Sequence, residues 1–93
     1  MTILARHLTF KGRVQRVFYR NWTVATAQEL GLTGWVRNRM NGDVEAIVQG
    51  DEIAVARFIA LAWDGPPAAR IDDIQDEPAE LADFDGFEQR ATV

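Results

Sequence analysis

Hydrophobic and polar residues alternate with two different periods in the first third of the chain. Residues 3–10 alternate between apolar and more polar positions, which is the period of a strand with one buried face. Over residues 20–30 the apolar positions recur at helical spacing, and Gly31 is placed to end that helix in a left-handed conformation. The pattern predicts a strand and a helix joined by a loop.

The middle of the chain predicts a hairpin followed by a second helix. Residues 33–39 and 43–49 have strand patterns, and Asn41-Gly42 between them is typical of a tight turn that requires positive φ. Asp51 is a plausible N-cap for the next helix. The apolar stripe of that helix comprises Val55, Phe58, Ile59 and Ala62, and Gly65-Pro66-Pro67 ends it.

The last third has a less regular pattern. Residues 69–75 predict a further strand, and residues 87–93 predict the last one. The acidic residues around and between them lack the spacing of a calcium-binding loop, and we interpret them as a solvated connection: Asp72, Asp73, Asp76, Glu77, Glu80, Asp83 and Asp85.

The order of these elements predicts an α+β domain spanning residues 1–93. The order β-α-β-β-α-β with an extra C-terminal strand is the ferredoxin-like, split βαβ arrangement, in which two helices pack on one face of an antiparallel sheet. If the first helix is a right-handed crossover, the first two strands are parallel and end at the same edge of the sheet. Asn38, at the end of the second strand, is then about 10 Å from the loop after the first strand.

Charge is distributed unevenly along the chain. Residues 1–28 carry five basic residues and no acid, whereas the rest carries 14 acids against five arginines, and the net charge is −4. This negative net charge argues against a broad surface that binds nucleic acid or an anionic membrane. No apolar run approaches the roughly 20 residues that span a bilayer. Because cysteine is absent, disulfides and cysteine metal ligands are excluded, which is compatible with a cytoplasmic location.

The basic segment predicts an anion-binding loop. Gly12 is followed by Arg13, Arg16 and Arg20 immediately before and within the first helical turn. Unpaired N–H groups and the positive end of the helix dipole stabilise an anion at such a position, and the guanidinium of Arg20 adds a fork of donors suited to phosphate. An arginine at a helix start is unfavourable for the dipole, so a purely structural role for Arg20 is the weaker interpretation.

Several ordered motifs resemble those of the acylphosphatase family over nearly the whole chain. They are Gly12-Arg13-Val14-Gln15 with Val17 and Arg20, then Gly31-Leu32-Thr33-Gly34-Trp35-Val36-Arg37-Asn38, Gly42-Asp43-Val44-Glu45, Gln49-Gly50, Gly65-Pro66-Pro67 and Gly86-Phe87-Glu88. The resemblance implies the ferredoxin-like fold and the hydrolysis of acyl phosphates, which are small-molecule carboxyl-phosphate mixed anhydrides, without a metal or another cofactor.

The resemblance also implies which residues form the site. The family's substrate-binding arginine falls on Arg20 and its catalytic asparagine on Asn38, with a phosphate-binding loop formed by Gln15, Arg16, Val17, Phe18, Tyr19 and Arg20. An amide does not take up a proton at neutral pH, so Asn38 would hold a water in line with phosphorus rather than act as a base. The side chains of Arg13, Gln15 and Arg16 are expected on the surface of the loop.

One residue departs from the family pattern and leaves alternatives open. Arg16 stands where the family usually has a glycine, and a left-handed backbone there would cost roughly 1 to 2 kcal/mol. The first hypothesis is therefore a monomeric acylphosphatase, and the second is a non-catalytic phosphate-binding regulatory module whose loop Arg16 has altered. A third, an RNA-binding domain of the same fold, is disfavoured by the negative charge and by the absence of an aromatic RNA-binding strand.

Overall fold

Five strands form one sheet, and both helices cover the same face of it. The computed structural model describes residues Met1–Val93. Its elements in chain order are β1 (Ile3–Arg13), α1 (Tyr19–Glu29), β2 (Thr33–Asn38), β3 (Val44–Asp51), α2 (Glu52–Ala62), β4 (Arg70–Ala79) and β5 (Phe87–Gln89). Neither helix is long and apolar enough to cross a membrane.

The order of the strands confirms the ferredoxin-like topology. The strands lie in the order β4-β1-β3-β2-β5, and each neighbouring pair among β4, β1, β3 and β2 is antiparallel. Because β1 and β2 both run antiparallel to β3, which lies between them, they are parallel to each other and end at the same edge. The C-terminal strand β5 pairs with β2 in a parallel sense, so the complete sheet is mixed rather than purely antiparallel.

Alternating strand residues form the core between the sheet and the helices. The fully buried side chains include Leu8 and Phe10 of β1, Val36 of β2, and Val55 and Phe58 of α2. Each large apolar side chain removed from water contributes about 1.5 to 3 kcal/mol, so this layer supplies the main driving force for packing both helices on one face. Gly31 adopts φ 71° directly after α1, as its position in the sequence predicts.

The acidic segment was only partly predicted. The strand predicted over residues 69–75 is confirmed, so Asp72 and Asp73 lie in a strand rather than in a connection, and β4 continues to Ala79, so Asp76 and Glu77 lie in it as well. The physical reason is that β4 is an edge strand whose side chains are mostly exposed, so it carries no regular apolar alternation. Opposite charge on β1 holds one of these acids in place, since Arg6 Nε lies 2.6 Å from an Asp76 carboxylate oxygen.

Three local predictions need correction. Strand β5 ends at Gln89 rather than at residue 93, although the Arg90 N–H still donates to the Val36 carbonyl at 2.8 Å. Of the two turn residues Asn41 and Gly42, only the glycine has positive φ, because five residues rather than two join the strands. Asp51 does occupy the N-cap position of α2, but its side chain makes no capping hydrogen bond there.

Candidate active site

A cavity of about 410 Å³ opens where the loop after β1 meets the end of β2. Its volume lies in the lower part of the range of small-molecule sites. The lining residues are Val14, Arg16, Phe18, Tyr19, Arg20, Asn21 and Asn38. The structure therefore brings together five of the seven residues expected at the site from the sequence. Val14 and Asn21 line it without having been predicted there, whereas Gln15 and Val17 do not line it.

The loop that borders this cavity has an unusual backbone. Arg16 and Phe18 both adopt left-handed conformations, with φ values of 62° and 65°, and they are the only residues other than glycine with positive φ. Alternation of left-handed and ordinary residues is typical of anion-binding loops whose successive N–H groups turn toward one point. Val14 and Val17 are buried and anchor the loop in the core. The backbone is thus arranged for binding an anion.

The same loop leads into a helix start that no side chain caps. Phe18 is the N-cap residue of α1 and makes no capping hydrogen bond, and the first turn contains no acidic residue. The first N–H groups of the helix therefore keep their capacity to donate to a ligand, and the positive end of the helix dipole favours negative charge at the same place.

Replacing Arg16 by glycine is expected to stabilise the fold by about 0.5 to 1 kcal/mol. A side chain at this left-handed position costs roughly 1 to 2 kcal/mol, and the greater chain entropy of unfolded glycine offsets part of the gain. Urea unfolding of Arg16→Gly and wild type measures the difference. Arg13→Gly is the matched control: Arg13 has ordinary negative φ in β1, so that variant should lose stability. A loss in Arg16→Gly as well would contradict the strain argument.

Two arginines in the cavity make no ion pair. Acidic side chains neutralise six other basic side chains, namely those of Arg6, Lys11, Arg37, Arg39, Arg70 and Arg90. Neither Arg16 nor Arg20 has such a partner, and no acidic residue lines the cavity. In a chain of net charge −4, the cavity is therefore a local concentration of positive charge that is free to bind an anion.

Asn38 lines the cavity and has an unused acceptor. It is the last residue of β2, where its backbone pairs with Val44, so its main chain is fixed by the sheet. Its side-chain oxygen Oδ1 is buried and has no hydrogen-bond partner. A buried polar atom without a partner is uncommon and costs free energy, and in a residue that lines a cavity it marks a candidate contact for a ligand or a water.

Gln15 does not stay on the surface as expected but ties the loop to the neighbouring hairpin. Its Nε2 donates to the carbonyl oxygens of Arg39 at 2.6 Å and Asp43 at 2.8 Å. These carbonyls belong to the connection that follows Asn38, so the amide of Gln15 holds the two sides of the cavity at a fixed separation. Sequence reasoning missed this role, because a bond from a side chain to a distant carbonyl leaves no periodic signal.

Tyr19 is a lining residue of the cavity, but its hydroxyl is bonded elsewhere in the core. The hydroxyl donates to the carbonyl of Ala62 at the end of α2, 2.7 Å away, and the ring packs against Phe10 at a centroid distance of 5.0 Å. Burial raises the pKa of the Tyr19 phenol well above its ordinary value. The tyrosine therefore stays protonated at neutral pH and serves as a packing residue, not as a proton donor to a substrate.

On the opposite face of the sheet, Glu45 of β3 holds the end of β2. Its carboxylate accepts hydrogen bonds from Nε2 of His7 at 2.6 Å, Nε of Arg37 at 2.7 Å and Nη1 of Arg39 at 3.3 Å. Burial of the carboxylate by itself raises the pKa of Glu45, but the hydrogen bonds from His7 and Arg37 outweigh it, so the net shift is downward. Since Arg37 and Arg39 flank Asn38, this cluster supports the strand end that carries Asn38.

The lowered pKa of Glu45 predicts how its contribution to stability depends on pH. A carboxyl group whose pKa is lower in the folded state stabilises the fold above its unfolded pKa, and the contribution is lost as the pH falls through the folded value. Glu45→Gln should therefore be less stable than wild type at pH 7. The difference should shrink below about pH 4, where glutamates become protonated.

Urea unfolding of both proteins between pH 7 and pH 3 measures this dependence. Glu80→Gln is the control, because Glu80 is exposed and makes no ion pair. This control should stay close to wild type over the whole range. A destabilisation of Glu45→Gln that is the same at pH 3 and pH 7 would assign the effect of Glu45 to packing rather than to its charge.

Comparisons with known proteins agree with this arrangement. A family model described as Acylphosphatase matches residues 6–89. An acylphosphatase of Rhodospirillum rubrum is 47% identical over 92 residues, which are 99% of this chain and 98% of that protein. The structure of an acylphosphatase from Coxiella burnetii superposes with a TM-score of 0.91 at 35% identity, covering 95% of this chain and 93% of the other. That of a Bacillus subtilis acylphosphatase gives the same TM-score at 31% identity, covering 94% and 98%.

Proposed function

The chain belongs to the acylphosphatase family and hydrolyses acyl phosphates, and we propose that Arg20, Asn38 and the loop of residues 15–20 carry out this reaction. The observation that carries the proposal is that Arg20, which makes no ion pair, and Asn38, whose Oδ1 has no hydrogen-bond partner, line one cavity free of acidic side chains. The non-catalytic module considered from the sequence is not favoured, because the relatives are acylphosphatases over the whole chain.

In this proposal the phosphate group of the substrate binds at the start of α1. Backbone N–H groups of the loop and the helix dipole stabilise its charge, and Arg20 adds a bidentate contact. Phosphoryl transfer depends mainly on positioning and on stabilising negative charge over the equatorial oxygens of the transition state. Donors that are already fixed before substrate binds are suited to this task, because they need no reorganisation during the reaction.

Asn38 then orients the attacking water. Its Oδ1 accepts a hydrogen bond from the water, whose oxygen forms a bond to phosphorus while the bond between phosphorus and the carboxyl oxygen breaks. The bonding electron pair leaves with the carboxylate, and the proton of the water passes to a phosphoryl oxygen or to solvent. The conjugate acid of the leaving group has a pKa near about 4, by analogy with Asp and Glu side chains, so the carboxylate departs without a general acid.

The enzyme is further proposed to work without a cofactor, as a monomer and in the cytoplasm. We expect hydrolysis to need no metal or other cofactor, because the positive charge of the cavity is supplied by arginines and backbone N–H groups. We further expect a monomer located in the cytoplasm, and the absence of cysteine is compatible with that compartment.

Hydrolysis of acetyl phosphate in excess EDTA tests the reaction, with phenyl phosphate as the control substrate. We expect the acyl phosphate to be hydrolysed and the monoester to be spared, because a phenolate is a far poorer leaving group, with a conjugate acid pKa near about 10. Loss of activity in EDTA, with recovery on adding a divalent cation, would overturn the metal-independent mechanism. Equal hydrolysis of both substrates would overturn the role assigned to the leaving group.

A further inference from the structure

Arg16 is a second arginine that lines the cavity, in addition to Arg20. It is exposed, lines the cavity and makes no ion pair with any acidic side chain. Arg13, three residues earlier, is also exposed but does not line the cavity. The cavity is therefore lined by two arginines without ion-pair partners, Arg20 in the first turn of α1 and Arg16 four residues earlier in the loop.

The backbone of the loop does not require an arginine at this position. At φ 62° a glycine would be more favourable, so the side chain of Arg16 is retained against a cost of roughly 1 to 2 kcal/mol. The loop N–H groups, the helix dipole and Arg20 already serve the transferred phosphate. The positive charge of Arg16 is therefore not needed for the transferred phosphate and is available to a different anionic group.

The phosphate group also does not fill the whole cavity. At about 410 Å³ the cavity has the size of a site for a complete small molecule, so it extends beyond the phosphate to the acyl part of the substrate. Phe18 is another lining residue and is 75% exposed, so an apolar side chain borders the cavity and is available to the acyl carbon atoms. A cationic group beside an apolar surface suits an acyl group that ends in an anion.

We propose that Arg16 binds a second anionic group on the acyl part of the substrate, so that the enzyme favours acyl phosphates derived from dicarboxylic or phosphorylated acids. This inference rests on the proposed function, because it assigns the phosphate undergoing transfer to Arg20 and the loop. The additional contact is made in the ground state and in the transition state alike. It therefore lowers KM for such substrates and leaves kcat nearly unchanged.

Two substrates that differ only in charge test the inference. These are 4-carboxybenzoyl phosphate and 4-carbamoylbenzoyl phosphate, which have the same shape but carry an anionic and a neutral group. For wild type we expect the ratio of their kcat/KM values to favour the carboxylate. In Arg16→Gln the ratio should fall by about tenfold through KM, as expected for a charge-assisted hydrogen bond. Arg16→Lys should retain part of the preference.

Using the ratio separates this effect from any change in the loop, because a distorted phosphate site affects both substrates equally. Arg13→Gln is the matched control for the long-range field of a loop arginine, and it should leave the ratio near the wild-type value. A carboxylate preference in wild type that Arg16→Gln leaves intact would overturn the inference. So would a fall in kcat/KM of the same size for both substrates, since Arg16 would then bind the transferred phosphate.

A second pair of substrates identifies the kind of anion. Replacing the carboxylate of the acyl group by a phosphate ester tests phosphorylated acids, and a larger effect of Arg16→Gln on this substrate would assign Arg16 to that class. Failure of the proposed function has a different signature, because wild type would then hydrolyse neither the carboxylate nor the carboxamide substrate. An unchanged ratio with normal turnover would overturn only the role of Arg16.

Discussion

Replacing Arg20 by alanine is expected to lower kcat/KM for acetyl phosphate by about 100-fold or more, judged by what one preorganised donor contributes at an oxyanion site. Arg20 is the second residue of α1, so its position is set by the helix start, and its guanidinium has no acidic partner to compete with substrate. Because the phosphate is bound before and during the reaction, KM should rise as well as kcat fall.

Inorganic phosphate provides a readout of Arg20 that does not depend on turnover. A ligand that binds only the folded state raises the unfolding temperature, so phosphate should stabilise wild type and have much less effect on Arg20→Ala. Arg13→Ala is the control, because Arg13 lies in the same basic segment outside the cavity. Arg20→Lys keeps the charge without the fork and should recover only part of the activity. Equal phosphate stabilisation of wild type and Arg20→Ala would remove Arg20 from the binding site.

The convergence of Arg20 and Asn38 could be predicted because it follows from topology alone. Once residues 3–10 and 33–39 were recognised as strands flanking a helix, a right-handed crossover placed their ends at one edge of the sheet. Pairing of β1 and β2 with opposite edges of β3 confirms that placement. The prediction needed no side-chain detail. Two strand ends with one strand between them lie close enough for long side chains from each to meet.

The conformation of the loop could not be predicted from the sequence in the same way. At Arg16 only the glycine usual in the family indicated that the backbone could be left-handed, and at Phe18 nothing did, yet both residues are left-handed. Val14, and Val17 between the two left-handed residues, are buried in the core and hold the loop in place. Local preference is overruled here by packing, which is expected where a loop is held in shape for binding.

Edge position explains why β4 was harder to predict than the central strands. Its exposed acids resembled a loop because no alternation of apolar residues is required on a strand that is solvated. Charges along an edge strand also discourage pairing with another chain. The exposure that left the second half of β4 unpredicted is therefore consistent with a sheet that ends at this edge.

Asn38→Ala should lower kcat by about 100-fold, the effect expected for the loss of one preorganised polar group, and leave KM much closer to the wild-type value. Asn38 acts on the attacking water, so its contribution appears in the transition state and not in binding of the phosphate. The variant should remain folded and nearly as stable as wild type, because Oδ1 makes no hydrogen bond within the chain. It should also retain stabilisation by inorganic phosphate, in contrast to Arg20→Ala.

Asn38→Asp separates the acceptor from the charge. An aspartate keeps an oxygen that can accept from water, but it places a negative charge beside the bound phosphate, so it should raise KM and weaken phosphate stabilisation. If Asn38 instead helps to bind phosphate, Asn38→Ala will lose phosphate stabilisation together with activity. If it serves only to end β2, Asn38→Ala will lose stability while the folded fraction keeps its turnover. Only a fall in kcat with phosphate binding preserved agrees with a residue that positions water.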